Sequence, residues 1–377
     1  MIGVAVMMPS GVWPEWPMYA HDAARTGVAD GEGPNSLEVQ WTVKLDGRVD
    51  SSPAVSGGVV YVGTTDGCVR AVDAATGRAI WRQELGGPVT SSPCVAEGLV
   101  LVGCVDTFAY GLDAGTGEVL WRQRADGPII ASPALAEGIT YWASTPGRVF
   151  ALRAEDGTEI WRRELPARVV ASPCVGDGAL YIGDMAGGFH AIRLSDGRPL
   201  WQFDPKGRVV ATATVVGPLV FLGSQDMWHG EPKPPTPDPD LHLHAVDAAS
   251  GVARWMLKVS GSVMGSPAAG ATMVYAAANE GYPSSRAAFY GVDVASGAKR
   301  WRWPPKKGQG AGVVHAAPAI AGSMVYFADL EGVVYIFNAQ TGAPVAHYAT
   351  GGPVYSSPAI SDGRLFIGSG DGKLYCF

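Results

Sequence analysis

Tryptophan recurs along this chain with a fixed period. The first five members of the series are 40 residues apart and the last two are more widely spaced: Trp41, Trp81, Trp121, Trp161, Trp201, Trp255 and Trp301. A period of this size is typical of solenoids and β-propellers, whose single units are too small to bury their own apolar surface. We therefore expect one ring or stack, although a length of 377 residues would otherwise suggest two or three domains.

Each unit contains four short runs with β-strand character. In the unit from Val49 to Leu85, turns at Gly57-Gly58, at Asp66-Gly67 and at Ala74 to Gly77 separate the runs. Glycine and aspartate favour such turns, and the runs between them are rich in valine and aromatic residues. Four antiparallel strands in about 40 residues correspond to one propeller blade.

Two recurring features give the number of blades. A Ser-Pro pair or its remnant marks the innermost strand at eight places: Ser52, Ser92, Ser132, Ser172, Thr212, Ser266, Ala317 and Ser357. The eighth unit ends in its third strand at Phe377, and its missing outer strand is found at residues 37–45 around Trp41. We predict an all-β, eight-bladed propeller of four-stranded antiparallel blades, closed by the N-terminal strand on the C-terminal blade. Such closure removes an exposed sheet edge.

The same count defines the predicted organisation of the chain. Residues 37–377 are expected to form a single propeller domain. Residues 1–36 are expected to be an N-terminal extension packed on it.

Composition and charge restrict the function classes. With a formal net charge of −7 we expect no extended positively charged surface, and therefore no nucleic-acid partner. The five cysteines include no adjacent pair and no CxxC, which disfavours disulfides and a metal site. No basic residue precedes Arg25, and no apolar stretch reaches the roughly 20 residues that span a bilayer. We expect a soluble, cytoplasmic protein, unless an exported precursor has been trimmed.

The turn before each outer strand carries a recognisable motif. Residues Ala71 to Trp81 follow the pattern A-x-D-x-x-T-G-x-x-x-W, which recurs with local decay along residues 37–377. This pattern resembles the repeat of the PQQ-like propeller superfamily, and residues 13–27 look like the lead-in segment of such proteins. The resemblance implies that the tryptophans dock between neighbouring blades.

Members of that superfamily include quinone-dependent dehydrogenases and the scaffold lipoprotein of the outer-membrane barrel assembly machinery. The dehydrogenases of this superfamily carry an adjacent cysteine pair and calcium-binding carboxylates. The resemblance would imply the same features here if this chain were one of them. This chain has no adjacent cysteines. We therefore expect that it is not a quinone-dependent dehydrogenase and that it uses no cofactor.

One aligned position differs systematically around the predicted ring. The residue two positions before each Ser-Pro pair or its remnant is polar in four consecutive blades: His315, Tyr355, Asp50 and Thr90. The other four blades have apolar residues there, including Met264. If this position lines the axial mouth, the pocket has a polar and an apolar wall, as small-ligand sites often have. The alternative is that these side chains pack between blades.

The loops between second and third strands and those between outer and inner strands are expected on one face of the ring, called the top. This face carries further candidate binding residues. Arg48, Arg168 and Arg208 lie near the predicted rim, where guanidinium groups either hold an anionic group or are simply solvated. The repeat is also interrupted by insertions at residues 225–241, 279–287 and 303–308, which contain Trp228, His229 and Trp303. Such insertions form either a lid or partner platform, or tolerated surface loops.

A metal site is not expected at the histidines of the fifth blade. His242 and His244 are two residues apart, but His244 occupies a strand position that is mostly aromatic in the other blades. Packing explains that position better than metal binding does, because a third and a fourth ligand are unassigned.

Two function hypotheses remain open. The first is a binding module or scaffold that takes a protein, a peptide or a small molecule at its top face and axial pocket. The second is a cofactor-independent enzyme, such as a cyclase, isomerase, lyase or hydrolase. In that enzyme, His315 would be the general acid or base, Tyr355 a proton donor or oxyanion partner, and Asp50 the group that orients His315.

Overall fold

A computed structural model describes residues 15–225, 241–280, 286–304 and 310–377. Within these residues the chain forms 32 β-strands arranged in eight separate four-stranded antiparallel sheets. Each sheet is one blade of a ring, which confirms the predicted eight-bladed propeller.

The strands follow one another from the axis outward in each blade. The first strand of the chain is β1 (Trp41–Lys44). Blade 1 contains β2 (Ala54–Ser56), β3 (Val59–Gly63), β4 (Cys68–Asp73) and β5 (Ala79–Glu84). Blade 2 contains β6 (Cys94–Ala96), β7 (Leu99–Gly103), β8 (Phe108–Asp113) and β9 (Val119–Arg124). Blade 3 contains β10 (Ala134–Ala136), β11 (Ile139–Ala143), β12 (Arg148–Arg153) and β13 (Glu159–Glu164).

The later blades repeat this order. Blade 4 contains β14 (Cys174–Gly176), β15 (Ala179–Gly183), β16 (Phe189–Arg193) and β17 (Pro199–Phe203). Blade 5 contains β18 (Thr214–Val216), β19 (Leu219–Gly223), β20 (His242–Asp247) and β21 (Ala253–Lys258). Blade 6 contains β22 (Ala268–Ala269), β23 (Met273–Glu280), β24 (Arg286–Asp293) and β25 (Lys299–Trp303). Blade 7 contains β26 (Ala319–Ala321), β27 (Met324–Ala328), β28 (Val333–Asn338) and β29 (Pro344–Ala349).

Blade 8 joins the two ends of the chain. It contains β30 (Ala359–Ser361), β31 (Arg364–Gly368) and β32 (Lys373–Cys376), and β1 is its outer strand. Trp41 lies opposite Cys376 and Val43 opposite Leu374 in the antiparallel register. The amino-terminal strand therefore completes the carboxy-terminal sheet, as the sequence predicts.

The two faces of the ring have different loops. The amide of Thr65, between β3 and β4, donates to the carbonyl of Arg48 at 3.1 Å, so these loops share one face, here called the top. The amide of Ala74 donates to the carbonyl of Gly58 at 2.9 Å on the opposite face, the bottom. Each innermost strand therefore runs from top to bottom.

The tryptophans of the outer strands connect neighbouring blades. The indole nitrogen of Trp121 donates to the carbonyl of Ala154 in the next blade at 2.9 Å. The ring covers Gly157, which has φ of +71° and where a Cβ would lie 2.5 Å from the indole. The same indole-to-carbonyl bond is made by Trp41, Trp81, Trp161, Trp201, Trp255 and Trp301. The docking that the resemblance implies is confirmed.

The predicted insertions fall mostly outside the described residues. Trp228 and His229 lie there, as do residues 281–285 and 305–309. In blade 6, β23 and β24 each have eight residues, so this hairpin is longer than its counterparts, which have four to six residues per strand.

Candidate functional site: the axial cup

The extension at residues 15–36 crosses the bottom of the ring. Its backbone exchanges hydrogen bonds with the last residues of several innermost strands, beginning with Trp16 and Val55 of blade 1. The amide donors to the extension in later blades are Val95, Val175, Val215, Ala269 and Ile320. Because these residues lie at the bottom ends of their strands, the extension closes the axial channel from below.

Arg25 fixes the extension at the axis. Its side chain is fully buried and donates to the carbonyls of Tyr19, Ser132, Pro133 and Pro173. The guanidinium lies 5.5 Å from the centre of the Tyr19 ring. Burial lowers the pKa of Arg25, and the four carbonyls supply the negative partial charge that a buried cation requires.

A ring of hydroxyl groups surrounds the axis above this floor. Seven of the eight backbone amides at the Ser-Pro position donate to the hydroxyl of the next blade at 2.8–3.0 Å. The accepting hydroxyls belong to Ser52, Ser92, Ser132, Ser172, Thr212, Ser266 and Ser357. Blade 7 has Ala317 at this position, so no hydroxyl is available there for the amide of Ser266. The hydroxyl of Tyr19 lies 2.8 Å from that of Ser266.

The hydroxyl ring, the floor and the aligned sequence position together line one cavity of about 170 Å³. We call it the axial cup and define it by Tyr19, the hydroxyl ring and the upper wall. The upper wall consists of Asp50, Thr90, Val170, Val210, Met264, His315 and Tyr355. Of the eight aligned positions, which the described residues include in full, only Ile130 is absent from the lining. The polar and apolar members therefore face the axis as two separate arcs.

The polar arc contains buried atoms without partners. The Oδ2 atom of Asp50 accepts a hydrogen bond from Arg48 at 2.9 Å, whereas its Oδ1 atom is buried and has no partner in the described part of the chain. The buried hydroxyl of Thr90 is likewise unpartnered among those residues. A buried polar atom without a partner costs about 1–3 kcal/mol, so such atoms commonly mark a place for water or ligand.

His315 and Tyr355 contact each other on the same arc. Their ring centres are 5.9 Å apart and their planes are nearly perpendicular, at 87°. Burial lowers the pKa of His315, so its imidazole is neutral at pH 7. Within the described residues no hydrogen bond joins His315 to either Tyr355 or Asp50. The three proposed catalytic side chains thus share one cup without forming a connected relay.

The other candidate binding residues lie outside this cup. Arg48 and Arg168 are exposed at the top rim. Arg208 is half-buried there, and its Nε and Nη1 atoms are buried and unpartnered in the described chain. Trp303 packs against Tyr335 and Phe337 in the contact between blades 6 and 7.

His244 of blade 5 occupies the packing position expected for it. His244 is buried, and its ring lies 5.4 Å from that of Phe203 in an edge contact. Burial lowers the pKa of His244 to about 4. Across the residues that the structure describes, no group of three His, Cys, Asp or Glu side chains has the arrangement of a metal site.

The sequence interpretation missed the lower half of the cup. Tyr19 and Arg25 precede the repeat, so no alignment between blades identifies them. The hydroxyl ring corresponds to the Ser-Pro series, for whose hydroxyl groups the sequence predicted no role. The one sequence signal for this region is the resemblance of residues 13–27, which include Tyr19 and Arg25, to the lead-in segment of PQQ-like propellers.

Comparison with known proteins identifies the family of this propeller. A family model described as outer membrane protein assembly factor BamB matches residues 33–131, 108–281 and 236–377. The chain belongs to this family. Across the part of the BamB-family propeller that the structure describes, no helical segment has the length and apolar character to cross a membrane.

Solved structures share the fold of this BamB-family chain. BamB from Moraxella catarrhalis is 19% identical with a TM-score of 0.73, over 90% of this chain and 98% of that one. The quinohemoprotein alcohol dehydrogenase from Comamonas testosteroni is 15% identical with a TM-score of 0.75, over 97% and 80% of the two chains. Among curated proteins, the serine/threonine-protein kinase AfsK from Streptomyces griseus is 27% identical over 165 residues, which cover 41% of this chain. The match spans only 18% of the kinase.

The residues of the cup do not fit a quinone cofactor. All five cysteines are free and buried, and no two are adjacent in sequence. The cup has a volume of about 170 Å³, below the roughly 300–1,000 Å³ of pockets that hold drug-sized ligands. Tyr19 occupies the space beneath it. The cup is therefore small for a multi-ring cofactor, and the chain lacks the adjacent cysteine pair that the resemblance associates with quinone-dependent dehydrogenases.

Proposed function

We propose that this BamB-family propeller is a binding module that docks a partner on its top face and seats one group of that partner in the axial cup. The observation that carries the proposal is the cup itself, a cavity closed from below whose wall presents Asp50 Oδ1 and Thr90 Oγ1 without partners among the residues that the structure describes. A ligand or partner that supplies those hydrogen bonds recovers the cost of burying the two atoms.

Family membership supports a scaffold role for the top face. The matching family model is described as an assembly factor, and scaffold propellers present their loops to other proteins. The small size of the cup favours one side chain or one small molecule over an extended ligand.

A photoreactive side chain tests the proposal in the cells from which the protein comes. p-Benzoylphenylalanine replaces Tyr355 at the top in one strain and Gln340, which is exposed on a bottom turn, in another. We expect a specific adduct from position 355 and none from position 340. The protein found in the adduct is then purified, and its affinity is compared for the wild type, Tyr355→Ala and Gln340→Ala. Adducts from position 340 alone, or equal affinities for all three proteins, contradict the proposal.

The enzymatic alternative is supported by one observation, the neutral imidazole of His315 beside Tyr355. A neutral histidine is able to accept a proton from a bound substrate. If a molecule retained in the cup is converted, His315→Ala should slow conversion by about 10²–10⁴-fold while binding persists. Retention of that molecule without conversion, as followed by native mass spectrometry, leaves the binding module as the function.

A further inference from the structure

The chemical class of the cup's ligand follows from the polar arc. A carboxylate group only accepts hydrogen bonds, and the Oδ1 atom of Asp50 is buried and unpartnered in the described chain. The group that fills the cup must therefore present an N–H or O–H donor to this oxygen. A positively charged donor forms the shorter and stronger bond with a carboxylate.

The aromatic residues of the polar arc are also suited to a positively charged ligand. Tyr355 is 41% exposed, so part of its ring is open at the mouth of the cup, and its edge contact with His315 holds it there. An open aromatic face attracts a cation by about 0.5–1 kcal/mol at an exposed site and by more where water is excluded. Because burial lowers the pKa of His315, its neutral ring does not repel that cation.

The opposite arc selects for an alkyl chain. Val170, Val210 and Met264 line the wall across the axis from Asp50 and Tyr355. An unbranched aliphatic stem packs against these side chains while its charged end reaches the carboxylate. This division of one molecule into an apolar stem and a charged end is the way that lysine side chains are normally buried.

Of the four arginines near the cup, Arg168 and Arg208 precede Val170 and Val210 of the apolar arc, and Arg48 and Arg25 belong to the side of Asp50 and to the floor. Arg48 bonds only Oδ2 of Asp50 and its side chain is 59% exposed, so solvent screens its repulsion. The Arg25 guanidinium lies 5.5 Å from the centre of the Tyr19 ring and is directed at four backbone carbonyls. Arg25 does not line the cup, so a cation at the level of Asp50 does not contact it.

We infer that the axial cup binds a primary alkylammonium group, either as the side chain of a lysine on the docked partner or as a free alkylamine. The inference rests on the proposed binding function and specifies what enters the cup. Asp50 accepts the ammonium N–H, Tyr355 faces its charge, and Val170, Val210 and Met264 contact its stem.

Isothermal titration of the full chain tests this inference. The probes are n-butylammonium chloride, N-acetyl-lysine amide, 1-butanol and sodium butyrate. We expect binding of at least one of the two ammonium probes, and no heat above dilution from the alcohol or the carboxylate. Binding of the butylammonium ion alone identifies a free amine as the source, and binding of the lysine amide identifies a protein side chain. Failure of both ammonium probes to bind overturns the inference, whether or not butyrate binds.

Matched variants localise the site. Asp50→Asn keeps the shape of the side chain and removes its charge, and we expect at least a tenfold weaker ammonium affinity. Asp362→Asn is the control, since Asp362 is an exposed hairpin residue at the bottom whose φ of +50° suits asparagine. If Asp50→Asn fails to fold, Tyr355→Leu provides the second test with a loss of several-fold. Unchanged ammonium affinity in the folded Asp50→Asn or Tyr355→Leu protein overturns the inference.

The failure of this inference is distinguishable from failure of the proposed function. If the partner still crosslinks at position 355 and binds Asp50→Asn as tightly as the wild type, top-face docking stands and ammonium recognition is wrong. If no partner crosslinks at position 355, the proposed function itself is wrong, whatever the titration shows.

Discussion

The hydroxyl of Tyr19 lies 2.8 Å from the hydroxyl of Ser266, where the extension meets the ring at the axis. Burial raises the pKa of Tyr19, so this contact is a hydrogen bond between two neutral groups. It joins the extension to Ser266, the residue whose amide has no hydroxyl acceptor in the next blade because position 317 is alanine. The first two predictions concern this junction.

Tyr19→Phe should lower the free energy of unfolding by about 1 kcal/mol, because the mutation removes one buried hydrogen bond and preserves the ring. Urea unfolding followed by tryptophan fluorescence measures the change. Tyr348→Phe is the control, because the half-buried Tyr348 makes no hydroxyl hydrogen bond within the described chain. Equal losses in the two variants would show that the Tyr19 hydroxyl contributes nothing at the axis.

Ala317→Ser should raise the free energy of unfolding by about 0.5–1.5 kcal/mol. The new hydroxyl takes the place that serine or threonine holds in the other seven blades and offers the amide of Ser266 an acceptor. The same urea titration measures the effect. A loss of stability, reversed when Tyr19→Phe is added, would mean that the tyrosine hydroxyl already fills the gap.

Thr107→Gly should stabilise the protein by about 1 kcal/mol. Thr107 has φ of +81°, which is strained for a β-branched residue, whereas the equivalent residues Gly67, Gly147, Gly187, Gly332 and Gly372 are glycines with positive φ. Relief of the strain outweighs the greater backbone entropy that glycine brings to the unfolded chain. The reciprocal variant Gly67→Thr should lose stability in thermal unfolding. Destabilisation by Thr107→Gly would show that the threonine side chain has a role that offsets its strain.

His244→Phe should weaken the dependence of stability on acid pH. The pKa of His244 is lowered to about 4 by burial and by the neighbouring His242, whereas an unfolded histidine titrates near 6.5. The unfolded chain therefore takes up the proton first as the pH falls. This contribution to stability is complete above pH 6.5, is lost between pH 6.5 and 4, and amounts to about 3 kcal/mol.

Urea unfolding at pH 7 and at pH 4.5 measures that effect. Phenylalanine fits the position, because Phe150 occupies it in blade 3. His347→Gln removes an exposed histidine and serves as the control. A wild-type loss of stability that persists undiminished in His244→Phe would assign the acid sensitivity to other groups.

The repeated parts of the fold were predictable from the sequence. The series from Trp41 to Trp301 and the eight Ser-Pro positions gave the number of blades, and the unfinished last unit gave the closure of Trp41 against Cys376. These features were readable because each blade imposes the same packing and hydrogen bonds on its own 40 residues. Seven of the eight aligned top residues also line the cup, which is one of the two arrangements that the sequence left open.

The features that depart from the blade repeat were harder to predict from the sequence. Tyr19 and Arg25 form the floor. They lie in an extension that occurs once in the sequence, so no comparison between repeats shows where they pack. Trp303 was expected at a binding surface. In the structure β25 extends to Trp303, and the side chain of Trp303 packs against Phe337. Asp50 was expected to orient His315, but nearby Arg48 takes its Oδ2 atom, and sequence spacing does not rank such competing partners.

Hydrogen exchange with and without the purified partner tests the central claim, that binding occurs at the mouth of the axial cup on the top face. We predict slower amide exchange in the top segments 48–50, 88–90, 313–315 and 353–355, and unchanged exchange in the bottom turns at 73–78 and 338–343. Protection confined to the bottom turns or to the outer strands would contradict the account.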